Sequence, residues 1–216
     1  VSEWESDLVL LVADKSIEAT VRGVFSRPDA LGIRELRYRS FVHPDHDPGC
    51  YLRSHDFLRP FVRSYEHALV MFDKHGCGRD ELTREQIEAA VTERLSRSEW
   101  GDRAAAVVLD PELEVWVWSD SPHVETCLGW IGKDPDLRTW LKHSEAEGRQ
   151  IWPRDVPKPE QPKAAVNLAL RHVRKPRSSA IYEQLARSVS FERCVDPSFA
   201  RFRELLCHWF LAQRTA

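Results

Sequence analysis

The stretch His67-Ala68-Leu69-Val70-Met71-Phe72-Asp73-Lys74-His75-Gly76-Cys77-Gly78 decides the fold. Ala68 to Phe72 is a short apolar run of the kind that forms a strand covered on both faces. It stops at an aspartate, and a turn containing Gly76 and Gly78 follows. Leu8 to Ala13 stops at Asp14 in the same way, and Ala104 to Leu109 stops at Asp110. In an open parallel sheet the carboxyl ends of the strands are where ligands gather. The pattern therefore predicts an acidic, metal-binding site at one edge of an α/β sheet.

Working outward, Lys15 to Arg27 carries Ile17, Val21, Val24 and Phe25 at helical spacing and ends before Pro28. Asp14 reads equally as the cap of this helix and as a site acid. Glu18 lies in its first turn, able to point back at the same edge. Ile33 to Val42 alternates loosely and is expected as a second strand. His43-Pro44-Asp45-His46-Asp47-Pro48-Gly49 is then a loop. Its histidines and aspartates resemble metal ligands when taken together, but they lack the i,i+4 histidine spacing of the common zinc motif, so a turn is the favoured reading. A helix is expected over Tyr51 to Arg63, and another over Thr83 to Leu95, opened by the capping-box pattern Thr83-Arg84-Glu85-Gln86.

This order of strands and helices implies right-handed crossovers and a mainly parallel, Rossmann-like sheet of four strands flanked by helices. After the fourth strand, Pro111 is placed to open a helix, with Glu112 and Glu114 in its first turn, where the helix dipole favours acids. Trp116 and Trp118 are expected to pack against the sheet end or the following helices. Short helices are expected from Asp120 to Leu141. Residues 1–142 then form the α/β domain, the proline-rich stretch 143–161 a linker, and 162–216 a helical C-terminal part with helices near 165–173, 180–189 and 199–211.

The chain has 216 residues, 30% of them charged, and a formal net charge of −3. From Trp140 onward there are 14 Lys and Arg against 8 Asp and Glu, so the front is acidic and the back basic. Lys163, Arg171, Arg174, Lys175 and Arg177 fall in a stretch free of acids, with Arg171, Arg174 and Lys175 expected on one helical face. They are candidate contacts for nucleic-acid phosphates; the alternative is a helix end dressed with favourable cations. No apolar run approaches the ~20 residues of a membrane span. The five scattered cysteines and the acidic start at Val1 to Asp7 point to a reducing cytoplasm without a secretory leader.

Several of these segments together resemble the Toprim-like proteins of bacterial antiphage and mobile-element loci, the group around the overcoming-lysogenization-defect and RloB-type nucleases. The matching pieces are Val12-Ala13-Asp14-Lys15-Ser16-Ile17-Glu18, Phe72-Asp73-Lys74-His75-Gly76 and Pro111-Glu112-Leu113-Glu114-Val115-Trp116. Pro162-Lys163, Ser178 to Tyr182 and Cys194 to Phe199 resemble small members of the group, some carried in methylation-associated defence operons. The resemblance implies phosphodiester cleavage at a site binding Mg²⁺ or Mn²⁺ through oxygen ligands. Asp73, Glu114 and Glu18 take the catalytic roles, and Asp14, Asp73, Glu112 and Glu114 hold the metal. Ala13-Asp14 stands where the group has glutamate-glycine, His75 where it has a second acid, and Lys74 adds a positive charge. These departures carry the alternative expectation, a catalytically degenerate scaffold or sensing subunit that docks on other defence proteins, with some of the eight tryptophans at the interface.

Overall fold

The computed structural model describes residues 4–146 and 148–212. Val1 to Glu3 of the acidic start, Glu147 of the expected linker and residues 213–216 of the C-terminal part lie outside the described residues.

Four parallel strands form the sheet: β1 (Ser6–Val12), β2 (Tyr38–Val42), β3 (Tyr65–Asp73) and β4 (Ala104–Leu109), in the order β2-β1-β3-β4. Leu8 to Val12 and Ala68 to Phe72 are fully buried, which requires cover on both faces. α1 (Lys15–Phe25), with the short α2 (Pro28–Leu31) after it, carries the chain from β1 to β2 on one side. α3 (His46–Leu58) and α4 (Arg84–Leu95) carry it from β2 to β3 and from β3 to β4 in the opposite direction. Right-handed crossovers running in opposite directions put their helices on opposite faces. The direction reverses between β1 and β3, and ligands bind outside the carboxyl ends of the strands at such a switch point. The register is level there, with Val12 opposite Val42 and Met71, and Asp73 opposite Leu109.

The remaining elements are α5 (His123–Leu128), α6 (Leu137–Lys142), a two-residue hairpin of β5 (Glu145–Ala146) and β6 (Arg149–Gln150), then α7 (Pro162–His172), α8 (Ser179–Ser188) and α9 (Pro197–Phe210). α8 packs along α1, and α9 lies against β4, with Phe202 of α9 stacked 6.1 Å from Phe25 of α1. α1 can receive α8 closely because Gly23 presents no side chain; a Cβ there would sit 2.6 Å from the Glu183 carbonyl oxygen. No helix among the described residues is long and apolar enough to cross a membrane.

The α/β class, the four strands and the capping box of α4 are as the sequence predicts: Thr83 Oγ1 accepts from Gln86 N, and Gln86 returns a bond to Thr83 N. Four local expectations are corrected. β2 begins only at Tyr38, because Ile33 is drawn into a bridge with Leu211. α3 starts at His46, inside the stretch expected as a loop. No α-helix opens at Pro111; the Asp110–Pro111 peptide is cis, Glu112 is extended, and a 3-10 turn spans Leu113–Trp116. The stretch 143–161 is not a free spacer, since Ile151 and Trp152 are buried and Trp152 packs edge-on to Trp118 at 5.3 Å.

Candidate metal centre

Each strand end contributes an acid, and local structure decides which way each one points. Asp14, after β1, is extended (φ −150°) and caps α1, its Oδ1 accepting from Ser16 N at 2.7 Å and Ile17 N at 2.8 Å. Asp47, in the first turn of α3, reaches across to the end of β3, where its Oδ1 accepts from Asp73 N at 2.8 Å. That approach depends on Gly76, where a Cβ would lie 2.2 Å from Asp47 Oδ2. Asp73 is buried, and its Oδ1 accepts from Leu113 N at 2.9 Å, which ties the segment after β4 to the end of β3.

That tie brings in two further acids. Glu112 is 8% exposed; its Oε1 accepts from Lys163 N at 3.0 Å, and Lys163 Nζ stands 3.4 Å from its Oε2. Glu114 is 1% exposed; its Oε1 accepts from the Tyr182 hydroxyl at 2.6 Å and from the Arg177 guanidinium at 2.5 Å. Its other oxygen, Oε2, is buried and has no hydrogen-bond partner among the described residues. Asp73, Glu112 and Glu114 each offer an oxygen, and the three oxygens lie within 4.8 Å of one another, close enough to hold a metal ion.

The electrostatics reflect this crowding. Burial pushes the Asp73 carboxyl well above the usual carboxylate range, and the neighbouring Asp47 and Glu114 push it further. Burial also raises Asp47, against the pull of the Asp73 N–H. Burial works against the Lys163 ammonium, but Glu114, Glu112 and Asp73 outweigh it and hold Lys163 above its ordinary value. The N-terminus of α7 that presents Lys163 is itself fixed, because Trp118 Nε1 donates to the Pro162 carbonyl at 3.0 Å.

Three of the residues expected at the site, Asp73, Glu112 and Glu114, thus converge. Asp14 lies near enough to act on Asp73 electrostatically but spends its carboxylate on the cap. Glu18 does not join them: it pairs with Lys15 at 2.7 Å and accepts from Ser40 Oγ at 2.8 Å. Lys74 and His75 lie in the turn after β3 and do not join the acids. Lys74 pairs with Asp110 at 3.2 Å, and His75 is exposed.

The basic set divides. Lys163 and Arg177 belong to the acidic centre, and Lys175 donates to the Cys127 carbonyl at 2.7 Å. Arg171 and Arg174 are exposed. Arg171, Arg174 and Lys175 do not share a helical face, because α7 ends at His172 and Arg174 takes a left-handed φ of 56°. Sequence reasoning set Asp47 aside within a turn and did not find Tyr182. Asp47 had a usable signal, since an acid opening the helix after β2 repeats the pattern of Asp14 after β1. Tyr182 had none, because only the packing of α8 brings it to Glu114.

No protein-family model matches the chain, no curated protein matches it, and no solved structure matches it.

Proposed function

We propose that this chain is a divalent-metal-dependent phosphoryl-transfer enzyme, a nuclease of the Toprim-like kind found in antiphage defence loci. The observation that carries the metal reading is Glu114 Oε2, a buried carboxylate oxygen without a partner in a cluster of three acids. A buried carboxylate oxygen left without a hydrogen bond is costly even where the other oxygen of the group is paired, as it is here by Arg177. A set of carboxylate oxygens alone suits a hard cation such as Mg²⁺ or Mn²⁺. Nuclease chemistry and the defence setting rest on the sequence resemblance at Asp73, at Glu112 to Trp116 and at Pro162-Lys163.

Asp73, Glu112 and Glu114 would hold the cation, which supplies Lewis-acid stabilisation of charge building on a phosphoryl oxygen. The chain's part is positioning. Asp47 fixes the backbone of Asp73, while the Tyr182 hydroxyl holds one oxygen of Glu114. The expected result is Mg²⁺- or Mn²⁺-dependent cleavage of DNA or RNA that Asp73→Asn lowers by about 100-fold or more. Equal cleavage by the two proteins assigns the activity elsewhere.

One observation favours a second reading, a docking scaffold for other defence proteins. Lys163 and Arg177 already neutralise two of the three acids and tie α7 and the segment before α8 to the sheet edge. Under that reading the protein binds no Mn²⁺ and co-purifies with products of neighbouring genes.

A further inference from the structure

We propose that Lys163 and Arg177 are exchangeable counter-ions: the divalent cation displaces them from Glu112 and Glu114, and they then hold the substrate's phosphodiester. This deepens the metal reading above and rests on it.

The layering is the first ground. The acids are buried, whereas the side chains of Lys163 and Arg177 are 43% and 32% exposed. The two cations therefore lie between the acids and solvent, on the route by which a cation must arrive and against which a substrate must rest. The contacts differ in how easily they are released. Lys163 Nζ stands 3.4 Å from Glu112 on a flexible four-carbon stem, a loose pairing that a divalent ion outcompetes. Arg177 makes one contact to Glu114 through Nη2 and one to Asn167 Oδ1 at 3.2 Å through Nη1, so its planar fork is held at the rim.

Charge balance is the second ground. Once the cation holds Glu112 and Glu114, the Lys163 ammonium and the Arg177 guanidinium lose the carboxylates that pair them. A surplus charge next to a buried cluster is unfavourable unless it is paired. A phosphodiester carries one negative charge and supplies the two cations with a replacement partner. Arginine and lysine are the side chains suited to it, through a guanidinium fork and through a point charge. Without the metal, the same two side chains are occupied by the acids. Cation and phosphodiester should therefore bind cooperatively, each tightening the other by the same factor.

The test uses the full chain, Mn²⁺, and a short fluorescent phosphorothioate oligodeoxynucleotide that resists cleavage. Calorimetry reads Mn²⁺ binding alone, and fluorescence anisotropy reads the oligonucleotide with and without Mn²⁺. Mn²⁺ is expected to tighten oligonucleotide binding to the parent by about tenfold or more. Lys163→Gln should bind Mn²⁺ as well as the parent or better, since a competing cation is gone, yet show tightening within about twofold; Lys163→Arg should restore it. Arg177→Gln should lose the tightening too, independently of Lys163. If Lys163→Gln and Arg177→Gln both keep the full tightening, counter-ion exchange is wrong while the metal reading stands. If the parent binds no Mn²⁺, both fail.

Discussion

Glu114 is buried and His67 partly buried, and each has a buried side-chain atom without a hydrogen-bond partner among the described residues, Oε2 in one and Nδ1 in the other, yet they ask for opposite things. Glu114 is an acceptor among acids and calls for a cation. His67 stacks on Trp209 at 4.6 Å and meets Phe210 edge-on at 5.1 Å, where an uncharged ring is favoured. Burial lowers its pKa from 6.5 to about 4, against the opposing pull of the Arg103 backbone. The folded state therefore binds fewer protons than the unfolded chain between these values. The stability that depends on a neutral ring is fully present above pH 6.5 and is lost as the pH falls toward 4. The gap corresponds to roughly 3–4 kcal/mol at most. Urea midpoints measured across that window should fall more steeply for the parent than for His67→Phe. Parallel slopes would show that His67 does not titrate this way.

Among the elements, α3 does the least visible work. Its first turn supplies Asp47, and Asp47 holds the end of β3 only because Gly76 leaves room. Gly76→Ala should destabilise the protein by about 1–3 kcal/mol, the usual cost of overpacking, and weaken Mn²⁺ binding in the same variant. A denaturant midpoint unchanged from the parent would count against the contact. The strands themselves were legible, because a two-face-buried strand is apolar throughout and its end is marked by the first acid. Asp73 was legible on the same grounds. Glu112 and Glu114 were found for a partly mistaken reason: they sit in an extended segment and a 3-10 turn rather than in the first turn of an α-helix. The pairing of Lys163 and Arg177 with Glu112 and Glu114 was not legible, because the two lie 14 residues apart and only the turn after α7 folds them onto these acids. Charge spacing along a sequence does not encode such a turn. The reach of Glu18 toward Ser40 depends in the same way on tertiary placement.

At the scale of the molecule, the acidic front and basic back read from the sequence meet at one place. The sheet edge supplies the three acids, and the C-terminal helical part supplies Lys163, Arg177 and Tyr182 around them. Ligand binding at this junction should therefore stabilise the whole chain, by about 2.7 kcal/mol at a free concentration one hundred times the dissociation constant. The most direct measurement is the unfolding temperature of the parent and of Asp73→Asn, with and without Mn²⁺. Asn keeps the shape of Asp73 and an oxygen for the Leu113 N–H, and it removes a buried negative charge. Metal-free Asp73→Asn should therefore melt at or above the parent's temperature. Mn²⁺ should raise the melting temperature of the parent and leave that of Asp73→Asn unchanged. An equal rise in both proteins, or no rise in the parent, would contradict a metal centre built on Asp73, Glu112 and Glu114.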